Sequence, residues 1–293
     1  MAPFSLTWKR VLNGLGAALA IVGVAFVGIR FRAYSKEIDF DHIGNHVWVV
    51  VAAAAVAYAM AGLLLAAAWR ELLCQMDVHA KRLWAVKVYG ISQLAKYVPG
   101  NIFQFAGRQA LGMAGGAPGW VLAKSTIWEL GLLALAGLTY GGLALPLVFG
   151  WPVALGGGIF FVTVVVVAWM LGRGFSRVHI RPWILYLLFH GVSSLLFIWL
   201  LISVAPERAP ALGSWAPIGA AYIVAWLAGL VTPGAPAGVG VRELVLMFLM
   251  HGQVPEADLL LAVVVGRIVT VGGDAIFFLG SSLLPTKIDD SID

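Results

Sequence analysis

Charge is scarce in this sequence. Of 293 residues, 11% are Asp, Glu, Lys or Arg and 61% are hydrophobic, and the mean hydropathy is +0.94. Soluble domains carry about 25% charged and about 45–50% apolar residues. A folded surface in water needs polar cover, and so little charge cannot supply it. The bilayer must be the solvent. Cysteine is nearly absent: Cys74 stands alone, which excludes an intramolecular disulfide and a cysteine zinc cluster. Its place beside a basic loop suggests a reduced, cytoplasmic-side thiol.

Catalytic signatures are missing as well. "GWVLAKS" (Gly119–Ser125) lacks the glycine that a Walker-A loop has before its lysine, and no H-E-x-x-H occurs. "VGGD" (Val271–Asp274) faintly resembles the Gly-x-Gly-Asp of intramembrane aspartyl proteases. It lacks the first glycine, and no second aspartate falls in a clear span. No stretch is large enough for a soluble active site. No catalytic residue, metal or cofactor is expected. The net charge of +5 does not indicate nucleic acid, because the basic residues lie in short loops, where they set orientation.

What is present is a series of oily runs. A full span needs about 20 apolar residues, and 11–30, 47–69, 126–149, 151–172, 183–205 and 259–284 meet that length. The first run follows Lys9 and Arg10 without a small-x-small cleavage site, so it reads as a retained span. Tryptophans 48, 69, 84, 151, 183 and 215 lie near span ends and read as interface anchors.

Two further oily regions, 83–114 and 214–251, are interrupted by "YVPGN" (Tyr97–Asn101) and "LVTPGAPAGVGVRE" (Leu230–Glu243). Proline lacks an amide hydrogen and disfavours helix in the residue before it, so Pro-Gly stops a helix. Arg70, Lys81, Arg82 and Lys87, then Arg173, Arg177 and Arg181, mark cytoplasmic loops with Lys9 and Arg10. Counting spans between these anchors makes 83–114 enter and return on the cytoplasmic side. By the same count 214–251 enters and returns from the outer side. The first arm, Leu83–Val98, is below spanning length. Each interrupted region thus reads as a re-entrant hairpin; a pair of tilted full spans satisfies the same count.

The breaks also match each other. Pro99-Gly100 and Pro233-Gly234 are each followed nine residues after the proline by an arginine, Arg108 and Arg242. Inverted repeats with broken helices point to a transporter site. The chain therefore reads as an all-α polytopic integral membrane protein, one transmembrane domain over 1–293. It has about six full spans plus two oppositely oriented hairpins, with both termini cytoplasmic.

A broken helix exposes unpaired amides at the start of its second half, and each costs several kcal/mol in hydrocarbon. Those amides, with the helix dipole, favour phosphate or carboxylate. Gly100, Gly234, Gly238 and Gly240 let the backbone approach closely. Arg242 is expected in the first turn after its break and Arg108 in the second, where each adds bidentate contacts to phosphate. Asn101 and Gln104 are candidates to hydrogen-bond a headgroup or to satisfy the broken backbone. Pro99 and Pro233 complete the candidate substrate site. The structural alternative pairs Arg242 with Glu129 and Arg108 with Glu243, holding helices together. Arg267 and Asp274 are seven apart and share a helix face. With Glu129 and Glu243 they are candidates for charge coupling, or a helix-bundling ion pair. His190 reads as an interhelical hydrogen-bonding group.

"TPGAPAGVGVRE" is similar to the Pro-Gly-rich, Gly-Val-Arg-Glu element of the lysylphosphatidylglycerol synthase transmembrane-domain family, also called flippase-like. "AKYVPGNIFQFAGR" (Ala95–Arg108) resembles its first Pro-Gly element, and "AAAWRELL" (Ala66–Leu73) its Trp-Arg stretch. Glu129 and Arg267 match a glutamate and an arginine of that family, although Leu130 stands where an arginine often follows the glutamate. The resemblance covers most of the chain and implies translocation of a lipid or lipid-linked sugar. Some members carry a soluble aminoacyl-transferase domain that this sequence does not contain, so the flippase-like part is what the resemblance implies.

The expected activity is movement of a phosphate-bearing lipid, or of a polyprenyl-phosphate-linked sugar, between leaflets. The expected location is a bacterial inner membrane, with enzymes of glycan or lipid pathways as possible partners. Two other readings remain: a membrane-embedded lipid-modifying transferase using Glu243 or His190 as base, and an accessory subunit of a pathway enzyme.

Overall fold

The structure is a computed structural model that describes residues 44–98, 102–174, 179–232 and 240–284. The expected span at 11–30, and Pro99, Gly100, Asn101, Pro233, Gly234 and Gly238, lie outside the described residues, as do both termini. Within them the chain is helical and contains no strand. The helices are α1 (Asn45–Cys74), α2 (Arg82–Gln93), α3 (Phe103–Ala114), α4 (Gly119–Phe149), α5 (Val153–Gly174), α6 (Ile180–Val204), α7 (Trp215–Val231), α8 (Val241–Leu249) and α9 (Glu256–Ser282). A short 3-10 turn, Leu94–Tyr97, extends α2.

Six segments are long and apolar enough to cross a membrane: Asn45–Cys74, Gly119–Phe149, Val153–Arg173, Ile180–Val204, Leu212–Val231 and Glu256–Ser282. This is the length pattern of an integral membrane protein. Five of them correspond to the spans expected from the sequence. The sixth, Leu212–Val231, is the first arm of the second interrupted region and is longer than the first arm of the other. There α2 has 12 residues and α3 has 12, both below spanning length, while α8 has 9.

Contacts at the helix ends order the bundle. His46 Nε2 lies 3.2 Å from the Ser203 carbonyl, and Arg208 pairs with Asp258 at 3.1 Å. The starts of α1 and α9 and the end of α6 therefore share one end. At the other end, Lys87 Nζ donates to the Leu284 carbonyl at 2.7 Å, and Gln109 donates to the Gly119 carbonyl at 2.7 Å. Trp69, near the end of α1, donates to Ser125 in α4 at 3.1 Å. Hence the start of α2 and the end of α3 lie toward the same end as the start of α4.

The core runs where α1, α6 and α9 meet, with α2 against α1 and α9, and α7 against α4. Close approach there requires glycine. A Cβ on Gly273 would fall 2.8 Å from the Ala55 carbonyl oxygen, and one on Gly90 2.0 Å from Ser281 Oγ. The "VGGD" stretch is thus the crossing point of α9 and α1, which is why it carries glycine. Helix α5 is peripheral and little buried, and presents Phe161, Val162 and Trp169 outward.

Three of the expected interface tryptophans are instead core residues. Trp69, Trp84 and Trp183 are fully buried. Trp69 stacks on Trp84 with ring centroids 5.7 Å apart, and its indole N–H finds Ser125 inside the protein rather than a headgroup. An amphipathic ring needs one polar partner, and here an internal hydroxyl supplies it.

Candidate functional site

Both helices stop near their prolines. The first break separates Tyr97 from Phe103, and the second separates Val231 from Val241. Arg108 is the sixth residue of α3 and Arg242 the second of α8. They lie in the second and first turns after their breaks, as the spacing predicts.

The pairings differ from those expected. Arg108 is bound to Glu129 of α4 by a short salt bridge, with both side chains buried. Tyr89 donates its hydroxyl to the same carboxylate at 2.8 Å. The Arg108 guanidinium lies over the Tyr89 ring, 3.8 Å from its centroid, with the Trp69 ring at 5.5 Å and the Phe105 ring at 5.9 Å. Its Nε reaches Ser92 Oγ at 3.4 Å. This is an arginine packed in an aromatic box and neutralised by its own carboxylate.

Glu243 pairs not with Arg108 but with Arg267 of α9, at 2.6 and 3.0 Å. Its second oxygen reaches back to accept the Gly240 N–H at 2.7 Å. Gly240 sits at φ +87°, where an L side chain is strained. The Gly-Val-Arg-Glu sequence is therefore a helix start: a glycine for the turn, and a glutamate three residues on that satisfies an orphan amide.

Asp274 does not pair with Arg267, although they share a helix. It receives Lys96 Nζ at 2.7 Å and the Tyr97 hydroxyl at 2.5 Å. Lys96 is the functional candidate that sequence reasoning missed. It stands inside the quoted stretch before Pro99, and a lysine in an oily run is itself a signal. Arg267 and Asp274 sit about 10 Å apart along α9. Arg267 lies about 16 Å from its start and Asp274 about 12 Å from its end. Helix α9 thus meets the second interrupted pair through Arg267 and the first through Asp274.

Arg242 is different. Among the described residues it has no carboxylate within salt-bridge distance. Its partner is Tyr222 of α7, whose hydroxyl accepts from Nη2 at 3.2 Å and whose ring centroid is 5.6 Å away. A guanidinium has five N–H donors, so most remain for something else. Arg242 and Glu243 line a narrow cleft with Phe197, Tyr222 and Leu246, and with Val263, Arg267 and Thr270 of α9. The Phe197 and Tyr222 rings stack, centroids 4.6 Å apart. As it stands the cleft has room for about one ordered water.

Of the remaining candidates, Gln104 is half-buried in the first turn of α3. His190 is buried and lies 3.1 Å from the Leu133 carbonyl on α4, an interhelical hydrogen bond as expected. No group of three His, Cys, Asp or Glu that could hold a metal occurs among the described residues. Comparison of the chain with protein families, with curated proteins and with solved structures finds no match.

Proposed function

We propose that this protein moves a phosphate-bearing lipid, or a lipid-linked sugar joined through phosphate, between the leaflets of a bacterial inner membrane. The observation that carries the reading is Arg242. Three of the four cations beside the breaks, Lys96, Arg108 and Arg267, each have a carboxylate of their own. Arg242 faces a cleft with one phenol for company. A charge held in an apolar bundle costs at least about 2.5 kcal/mol on insertion scales. Keeping one without a counter-ion is what an anion site requires.

On this reading the two interrupted regions are re-entrant hairpins, related as an inverted repeat; the second is the deeper, since its first arm, Leu212–Val231, has spanning length while its return arm, α8, has 9 residues. Each enters and leaves at one end of the bundle, and both meet α9. Glu129, Glu243 and Asp274 hold the neighbouring cations while the site is empty. Alternate exposure comes from rocking one hairpin and its helices against the other. The basic loops and both termini face the cytoplasm. A transferase would need a free base, and the two candidates, Glu243 and His190, are both engaged.

The test is reconstitution into liposomes containing a fluorescent phospholipid or a labelled polyprenyl-phosphate sugar, followed by bleaching of the outer leaflet. Bleaching beyond the outer-leaflet half, lost in Arg242→Gln, is the expected result. A wild-type protein that moves neither lipid class refutes the reading.

A further inference from the structure

Helices α2 and α9 are antiparallel and meet along one face of each. Lys87 faces Leu284, Gly90 faces Ser281, and Tyr97 faces Asp274. Gln93 stands one turn beyond Gly90 on that face. Two buried polar atoms on this seam, Gln93 Oε1 and Ser281 Oγ, have no hydrogen-bond partner among the described residues. Buried polar groups that the protein does not satisfy are satisfied by water. The seam is therefore a polar stripe through an apolar bundle. It runs from Lys87, near the end where α4 starts, to the Lys96–Asp274 pair, about 12 Å in from the end of α9.

We propose that Asp274 is a proton-exchange site, reached by water along this seam, and that it takes up a proton when Lys96 and Tyr97 part from α9. The site needs no assumption about cargo; in the translocator proposed above it supplies the coupling ion. As paired, the carboxylate has an ammonium and a phenol for partners. Without them it is a lone charge in an apolar seam, and such a charge is neutralised by a proton. The proton comes from water and adds to one carboxylate oxygen, while Lys96 keeps its ammonium. Lys96 is the least enclosed of the paired cations beside the breaks, 16% exposed against 3% for Arg108 and 8% for Arg267. Parting and proton binding are linked, so falling pH favours the parted state. The surrounding titratable groups are otherwise placed. Tyr58 of α1 lies beside Gly273. Arg267 is held by Glu243 of α8, and Arg242 of α8 by Tyr222. Tyr186 and His190 of α6 lie toward α4. Among the described residues no second carboxylate reaches Lys96.

The experiment uses the full chain in lipid nanodiscs on a Cys74→Ser background. Val98→Cys is pulsed with a water-soluble maleimide from about pH 8 to about pH 5.5. Each rate is divided by that of His79→Cys, an exposed loop position, to remove the chemistry of the thiol itself. The ratio is expected to rise as pH falls, by up to about tenfold per unit for one linked proton. With Asp274→Asn it should be high and flat. Tyr97→Phe is the milder change, for use if the Asn variant fails to fold. It removes one donor from the carboxylate, so the rise should move up by about one pH unit. The seam is tested with aminoethyl methanethiosulfonate. Gln93→Cys should react, whereas Val88→Cys, fully buried and nearer the start of α2, should not. A flat ratio in the parent protein overturns the inference. So does an unaltered slope in Asp274→Asn, an unmoved rise in Tyr97→Phe, or a Gln93→Cys as silent as Val88→Cys. No lipid movement is measured, so each of these results leaves the translocator reading standing.

Discussion

Removing one member of the Arg108–Glu129 pair should be among the most damaging single changes to this protein. Both side chains are almost completely enclosed, at 3% and 2% exposure. In Glu129→Gln the guanidinium keeps its charge and loses its counter-ion. Breaking a buried pair costs about 3–5 kcal/mol. Part of the environment survives, because the Tyr89 ring stays 3.8 Å away and a desolvated cation–π contact is worth up to about 2 kcal/mol. The amide also keeps one acceptor. The low end, about 3 kcal/mol, is the expected loss. Arg108→Met should cost a similar amount by stranding the carboxylate beside Tyr89. The double variant Arg108→Met with Glu129→Leu removes both charges and should recover most of the loss. Reversible unfolding in mixed micelles, followed by tryptophan fluorescence, gives the coupling energy from the four proteins. Single variants that lose less than about 1 kcal/mol, or a double variant as unstable as the sum of the singles, refute the reasoning. The double variant also separates two roles. Lipid movement retained at restored stability makes the pair a brace between α3 and α4, and movement lost at wild-type stability makes Arg108 part of the substrate path.

Other changes test other joints. Gly273→Ala places a methyl 2.8 Å from the Ala55 carbonyl oxygen, a backbone atom that cannot step aside; a loss of about 1–3 kcal/mol is expected in the same unfolding assay. Gly240→Ala meets no neighbour among the described residues but holds φ +87°, so it should cost about 1–2 kcal/mol through strain, and Gly240→Asn should cost less. Asp274→Asn removes the carboxylate that Lys96 and Tyr97 share; a cysteine introduced at Val98 should then label faster with a water-soluble maleimide, whereas unchanged labelling would mean the contact does not hold the break closed.

The sequence announced the breaks but not the partners. Pro-Gly within an oily run stops a helix wherever it occurs, so the interruptions near Pro99 and Pro233 and the turn positions of Arg108 and Arg242 were legible from spacing. Pairing is a matter of which helices adjoin, and no local pattern carries that. Arg267 and Asp274 share a helix face by period, yet each reaches to a different neighbour, because opposite charges two turns apart can both find closer partners across helices. Lys96 stands in the quoted stretch that marks the first break, and its charge in an oily run was the available signal. Tyr89 and Tyr222 left no sign, since an isolated tyrosine in an apolar run is indistinguishable from packing until the opposing arginine is placed. Tryptophans near helix ends resemble interface anchors, and only the position of Ser125 shows that Trp69 points inward.

Helix α9 is tethered at two heights, by Arg267 to one interrupted pair and by Asp274 to the other. Twisting this rod, or slipping it by one turn of about 5.4 Å, strains both tethers in a single stroke. Both interrupted pairs are therefore fastened to one common spindle rather than to each other.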